Sequence, residues 1–329
     1  MEYLPLGRTD LRVSEVGYGC GSVGGLMIRG DRNEMTRAVA RAIDAGINYF
    51  DTARLYGNGQ SETNLGQVLR ELSAEVVVGT KVKLDAPDMH DVAGAVVAHV
   101  EGSLQRLGRD CVDVVSLHHP VGARREIDRQ ILDVHDVAAA AEAFATLVGQ
   151  GKIRYWGMNA VGDTAMVHKA LAAAHPFAVQ AVYNLLNPSG SIPVPAGFPF
   201  QDYQGVMHAA AEQGIGVFAI RVLAGGALTG TAARHPNASP PPTPMATSRT
   251  YTDDLERAQA FRFMLDDGYA DSMAEASLRF VLSNPDISTA LVGIASIEQL
   301  EQALAAAVKG PLPTEARDKL QRTWASFAN

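Results

Sequence analysis

The stretch VDVVSLHHP, residues 112–120, decides the fold. Its first six residues form an apolar run closed by polar ones, the pattern of a strand covered on both faces. Upstream, a helical stretch over 90–107 ends at Gly108, and downstream an Ala-rich helix is expected over 137–149. A strand with helices on either side implies a parallel sheet with right-handed crossovers.

The same alternation extends in both directions. Strands are predicted at Glu15–Gly19, Ile47–Phe50, Val76–Thr80, Val112–Leu117, 153–157, Val179–Val182, Gly216–Ile220 and Thr289–Val292. Helices are predicted at 34–45 (capped by Asn33), 62–71, 90–107, 137–149, 163–174, 204–213, 253–266, 271–283 and 296–307. Residues 3–13, YLPLGRTDLRV, read as an N-terminal β-hairpin with Gly7 to Asp10 as its turn. Eight strand–helix units without a second composition regime favour one α/β domain over 1–329, a closed (β/α)8 TIM barrel. A doubly wound open sheet is the alternative. Long loops are expected after strands 4, 6 and 7, at 121–136, 186–203 and 235–252, where a barrel keeps its function, and residues 24–30, 119–135, 187–203 and 231–250 are expected to line the pocket.

The bulk properties narrow the function. Net charge is −8, and no basic stripe or tail points to nucleic acid or an anionic membrane. No apolar run approaches the roughly 20 residues of a membrane span. The opening MEYLPLGRTD lacks the apolar core of a signal peptide. Cys20 and Cys111 read as unpaired thiols, and no metal-ligand spacing occurs. A cytoplasmic, metal-free protein is the expectation.

Polar residues fall at three successive strand ends: Asp51, Lys81 and His118, with Tyr56 five residues beyond Asp51. Each alone fits a structural role, as a loop anchor, turn aromatic, surface lysine or loop histidine. Together they suit a proton relay. A free phenol has a pKa of about 10, and a nearby ammonium lowers it. Asp51 would fix the lysine, Tyr56 would act as general acid/base, and a neutral His118 would polarise a carbonyl oxygen. None of the four donates hydride, so a redox cofactor is implied. The GxGxxG match at Gly19–Gly24 is set aside, because GGLMIRGD intervenes before any helix. It reads instead as a tight loop at the mouth, with Gly21 and Ser22 near the cofactor.

Over nearly its whole length the chain resembles the bacterial aldo-keto reductases. The likeness rests on YLPLGRTDLRVSEVGYG (3–19), INYFDTARLYGNGQSE (47–62), VVVGTKV (76–82), VVSLHHP (114–120), GKIRYWG (151–157), QAVYNLLN (180–187), LAGGALTG (223–230) and VGIASIEQL (292–300). It implies that Asp51, Tyr56, Lys81 and His118 are the catalytic tetrad, and that the enzyme works on carbonyl or alcohol substrates. It implies NADP(H) as the cofactor of this chain, with NAD(H) or dual use credible. Gln180 matches the nicotinamide-amide ligand. Asn159 and Ala160 stand where serine and asparagine are usual, and Arg221 lies in a run that lacks the family's stacking aromatic. Leu223, Ala224, Gly225 and Gly226 would approach the pyrophosphate, with Arg221 near it or the nicotinamide. Gly293, Ser296 and Gln299 mark the adenosine end, where Ala295 replaces a cation and Ala303 an asparagine. A cofactor-sensing regulatory or binding protein with little turnover is the competing reading.

Overall fold

The structure is a computed structural model and describes residues 1–327. Its strands are β1 (Tyr3–Pro5), β2 (Arg12–Ser14), β3 (Val16–Gly19), β4 (Tyr49–Asp51), β5 (Val77–Val82), β6 (Val112–Leu117), β7 (Ile153–Asn159), β8 (Ala178–Val182), β9 (Gly216–Ile220) and β10 (Thr289–Gly293). Strands β3 to β10 close into a parallel barrel, with β10 pairing both β9 and β3. The closed barrel, not the open sheet, is the architecture.

β1 and β2 form the expected antiparallel hairpin, which plugs the barrel floor. Leu6, Leu11 and Val13 pack there against Tyr49, Val114, Phe218 and Leu291. Gly7 makes this possible. Its φ is +52°, and a Cβ would stand 2.3 Å from the Gly214 carbonyl oxygen. The main core lies between barrel and helices, where Trp156 stacks on Phe144 at 5.5 Å.

Several boundaries differ from the pattern reading. β4 begins at Tyr49 rather than Ile47, because Asn48 is tied to Ser14 through backbone and side chain at 2.7 and 3.1 Å. Asp51 is therefore the last strand residue. β5 runs on past Lys81 and β7 to Asn159. The first long helix starts at Arg32, and Asp31 caps it instead of Asn33, accepting from the Glu34 N–H at 3.0 Å. The expected helix over 253–266 is broken into Tyr251–Ala258, a turn at Gln259–Phe261 and Phe263–Asp266. Helix Thr314–Phe327 has no counterpart among the predicted elements. Its buried Trp324 donates to the Leu185 carbonyl at 2.7 Å. No helix among the described residues is long and apolar enough to cross a membrane.

Candidate active site

Parallel strands that end together bring their C-terminal residues to one rim. A cavity of about 560 Å³ opens there. Asp51 ends β4 in register with Gly79 of β5, two residues before Lys81 on the same strand. Lys81 Nζ donates to Asp51 Oδ2 at 2.5 Å and to the Thr52 carbonyl at 2.8 Å. Gln180 of β8 reaches across the barrel to Asp51 Oδ1 at 2.8 Å. The lysine is buried behind Asp51 and does not line the cavity itself.

Tyr56 hangs from the loop after β4, with Lys81 Nζ 4.8 Å from its ring centre. The Lys81 charge acts on the Tyr56 hydroxyl. Gly21 lies beside it, and a Cβ there would make ordinary contact with the Tyr56 ring at 3.4 Å. His118, directly after β6, sets its ring edge-on to Tyr56 at 6.1 Å and 85°. The buried His118 Nδ1 and Asn159 Oδ1 have no hydrogen-bond partner among the described residues.

Burial sets the protonation states. It lowers the His118 imidazole well below its ordinary value, and the Lys81 charge adds to this, so the ring is neutral. Burial raises the Asp51 carboxyl, opposed by Lys81. For Lys81 burial works downward, but Asp51 and Tyr56 outweigh it and the amine stays charged. Burial also raises the Tyr56 phenol, with Lys81 pulling the other way. The expectation that the lysine brings the phenol below its free value is thus corrected. Asp51 neutralises much of the ammonium's field, and desolvation wins.

Gly21, Ser22, Asn159, Gln180, Arg221, Leu223, Gly225, Gly226, Gly293 and Gln299 all border this cavity. Ala224 is buried behind the wall, and Ser296 caps helix Ile297–Lys309 instead of facing inward. The wall also holds Val23, Leu55, Arg234, Tyr251 and Glu275, none of them singled out as a site residue from the sequence. The segment containing Arg234 crosses between the two sides. Arg234 donates to the Gly225 carbonyl at 2.9 Å, the Ser239 N–H to Val23 at 3.3 Å, and Asn237 Nδ2 to Ala295 at 3.0 Å.

Two expected pocket loops lie elsewhere. Residues 119–135 fold onto the flank, where Val121 pairs with Leu132 and Gly162, and Arg125 with Asp136. Residues 187–203 are anchored by Phe200, which packs edge-on to Phe198 and Phe327. Neither loop lines the cavity.

The cavity suits a nicotinamide dinucleotide. Its size lies within the range of ligand pockets. Gly225 and Gly226, at φ +70° and +108°, bring bare backbone to the wall, where a Cβ would meet Pro242 at 2.6 Å or Arg234 at 2.9 Å. The unpaired Asn159 carbonyl oxygen offers an acceptor to an amide. No group of three or more histidine, cysteine, aspartate or glutamate side chains that could hold a metal occurs among the described residues.

Comparison with known proteins places the chain in a family. The sequence profile described as "Aldo/keto reductase family" matches residues 15–325. The chain is 30% identical to the uncharacterized oxidoreductase YrpG of Bacillus subtilis, over 93% of its own length and 91% of that protein. It is 27% identical to a probable voltage-gated potassium channel subunit beta of Oryza sativa subsp. japonica, over 98% and 96%. The holo form of aldo-keto reductase AKR11C1 from Bacillus halodurans shares the fold, with a TM-score of 0.71, 23% identity, and coverage of 100% and 97%. The chain belongs to the aldo/keto reductase family and is a nicotinamide-dependent oxidoreductase that moves hydride between its cofactor and a small carbonyl or alcohol substrate.

Proposed function

We propose that the chain works as one cytoplasmic domain over residues 1–329, that Tyr56 is its general acid/base, and that NAD(H) is its preferred cofactor. The observation that carries the Tyr56 assignment is the pairing of a protonated phenol and a neutral imidazole at one point of the mouth, backed by a buried ion pair.

A carbonyl oxygen seated between Tyr56 and His118 accepts from both. A nicotinamide, when bound, would supply the hydride for the carbonyl carbon. Tyr56 gives its hydroxyl proton to the oxygen, and an alcohol results. The charge left on the phenol oxygen is held by Lys81, while Asp51 fixes the ammonium. In the oxidative direction Tyr56 takes the alcohol proton back. The raised phenol suits the acid role, because it stays protonated through neutral pH.

The preference for NAD(H) rests on the far end of the cavity. Ala295 and Ala303 are uncharged there, and Gln299 Oε1 accepts from the Ala295 N–H at 3.0 Å. Glu298 stands in the first turn of the adjoining helix. Neither alanine supplies the cation that a second phosphate on the ribose would need. Leu223, Gly225 and Gly226 would hold the pyrophosphate, and Gln180 and Asn159 the nicotinamide amide. Free thiols at Cys20 and Cys111 accord with a reducing compartment.

Fluorescence titration should give NADH at least about tenfold tighter than NADPH, since a missing charged contact is worth roughly 1.5–3 kcal/mol. Equal or tighter NADPH binding overturns that assignment. Tyr56→Phe should lower kcat about 10²–10⁴-fold and leave NADH affinity within twofold. Full turnover by this variant would remove Tyr56 from the role.

A further inference from the structure

Arg221 follows β9 directly and lines the cavity that Tyr56 and His118 share. Its guanidinium carries five donors, yet its side chain makes no hydrogen bond or ion pair among the described residues. The groups whose charge it feels are Tyr56 and Asp254. Asp254 is buried, and its oxygens accept from Thr247 Oγ1 at 2.6 Å and the Ser248 N–H at 2.9 Å. A half-buried cation without an acceptor is a costly thing to keep in a chain of net charge −8.

The backbone holds it there against a conformational penalty. Arg221 has φ +58°, a left-handed value that a long side chain rarely adopts. The buried Asn184 Nδ2 donates to the Arg221 carbonyl at 3.0 Å. Asn184 is itself fixed, its Oδ1 accepting from the N–H groups of Leu186 and Asn187 at 3.0 Å each. An ideal Cβ at Gly225 would lie 3.3 Å from an Arg221 terminal nitrogen. The guanidinium therefore stands over the bare backbone of residue 225, at the cavity wall.

A planar fork of N–H donors matches a carboxylate or phosphate. We propose that Arg221 is an oxyanion receptor in the mouth of this enzyme, with Asn184 as its positioning residue. The oxyanion belongs either to the cofactor's pyrophosphate or to an acidic group on the carbonyl substrate. This deepens the reading of the site as an oxidoreductase mouth and rests on it for the identity of the anion's carrier.

Calorimetric titration of the full chain tests the idea without turnover. Inorganic pyrophosphate added to the apoprotein probes the cofactor source, and benzoate added to NADH-saturated protein probes the substrate source. Arg221→Met should weaken one of these about 10- to 100-fold, the value of hydrogen bonds to a charged group. Arg221→Lys should recover part of the loss. Asn184→Ala should weaken the same anion in the parent protein and add nothing in the Arg221→Met background, which a general structural defect would not reproduce. If the parent binds neither anion, or if Arg221→Met leaves both affinities within twofold, Arg221 has no such role. Anion affinity is read without catalysis, so failure of the Tyr56 assignment would show separately, in turnover.

Discussion

His118 shows how one residue's surroundings set its chemistry. Exposed, an imidazole changes charge near neutral pH. Burial, with Lys81 and Lys83 nearby, lowers this one until it stays neutral, and its Nδ1 is left without a partner. Carbonyl reduction should therefore show no limb from His118 between pH 5.5 and 8. The alkaline limb should belong to Tyr56 and fall above the ordinary phenol value of about 10, because the acid form is lost as pH rises through its raised pKa. A kcat profile with a step around pH 6.5 that vanishes in His118→Gln would contradict the neutral assignment. His118→Ala should lower kcat about 10²–10³-fold, the usual effect of losing one donor to a carbonyl oxygen.

Among elements, the loop after β6 depends on the second histidine. His119 is buried, with Nε2 accepting from the Leu84 N–H at 2.7 Å and Nδ1 lying 2.8 Å from the Gln130 carbonyl. These contacts need the neutral ring, and burial pushes its pKa down to about 4. The unfolded chain binds this proton near pH 6.5, whereas the folded one does not until about pH 4. Stability contributed by the neutral ring is thus complete above pH 6.5 and lost as pH falls toward 4, by about 3 kcal/mol in all. Urea unfolding between pH 7.5 and 4.5 should show this slope, and His119→Gln should flatten it. An unchanged slope in the variant would place the acid sensitivity elsewhere. The same loop illustrates a limit of pattern reading. Residues 119–135 follow the strand that ends at His118 and so were expected at the pocket, but their own pairings and the Arg125–Asp136 ion pair lay them along the flank.

Taken whole, the molecule keeps stability at the barrel's floor and chemistry at its mouth. Leu6 is fully buried under the hairpin, against side chains from opposite sides of the barrel. Leu6→Ala should cost about 2–5 kcal/mol in urea unfolding, as buried leucines do. It should leave kcat at the parent value. A matching loss of kcat would mean that floor and mouth are mechanically coupled.

The sequence by itself determined a parallel α/β fold, favoured a closed barrel, and marked out the candidates for moving a proton. Strand runs such as VDVVSL, each followed by a helical period, encode local structure whose only compact closure is parallel, and Asp51, Lys81 and His118 fall at strand ends. Tertiary structure alone decided what those residues experience. Burial raises Tyr56 despite its lysine, Asn184 sets Arg221 in a left-handed conformation, and Gln180 reaches Asp51 from the far side. Packing also places Glu275 and Arg234 in the wall and Trp324 against the loop after β8. Such contacts join residues distant in the chain, and desolvation depends on everything around a group. Neither quantity has a local sequence signature.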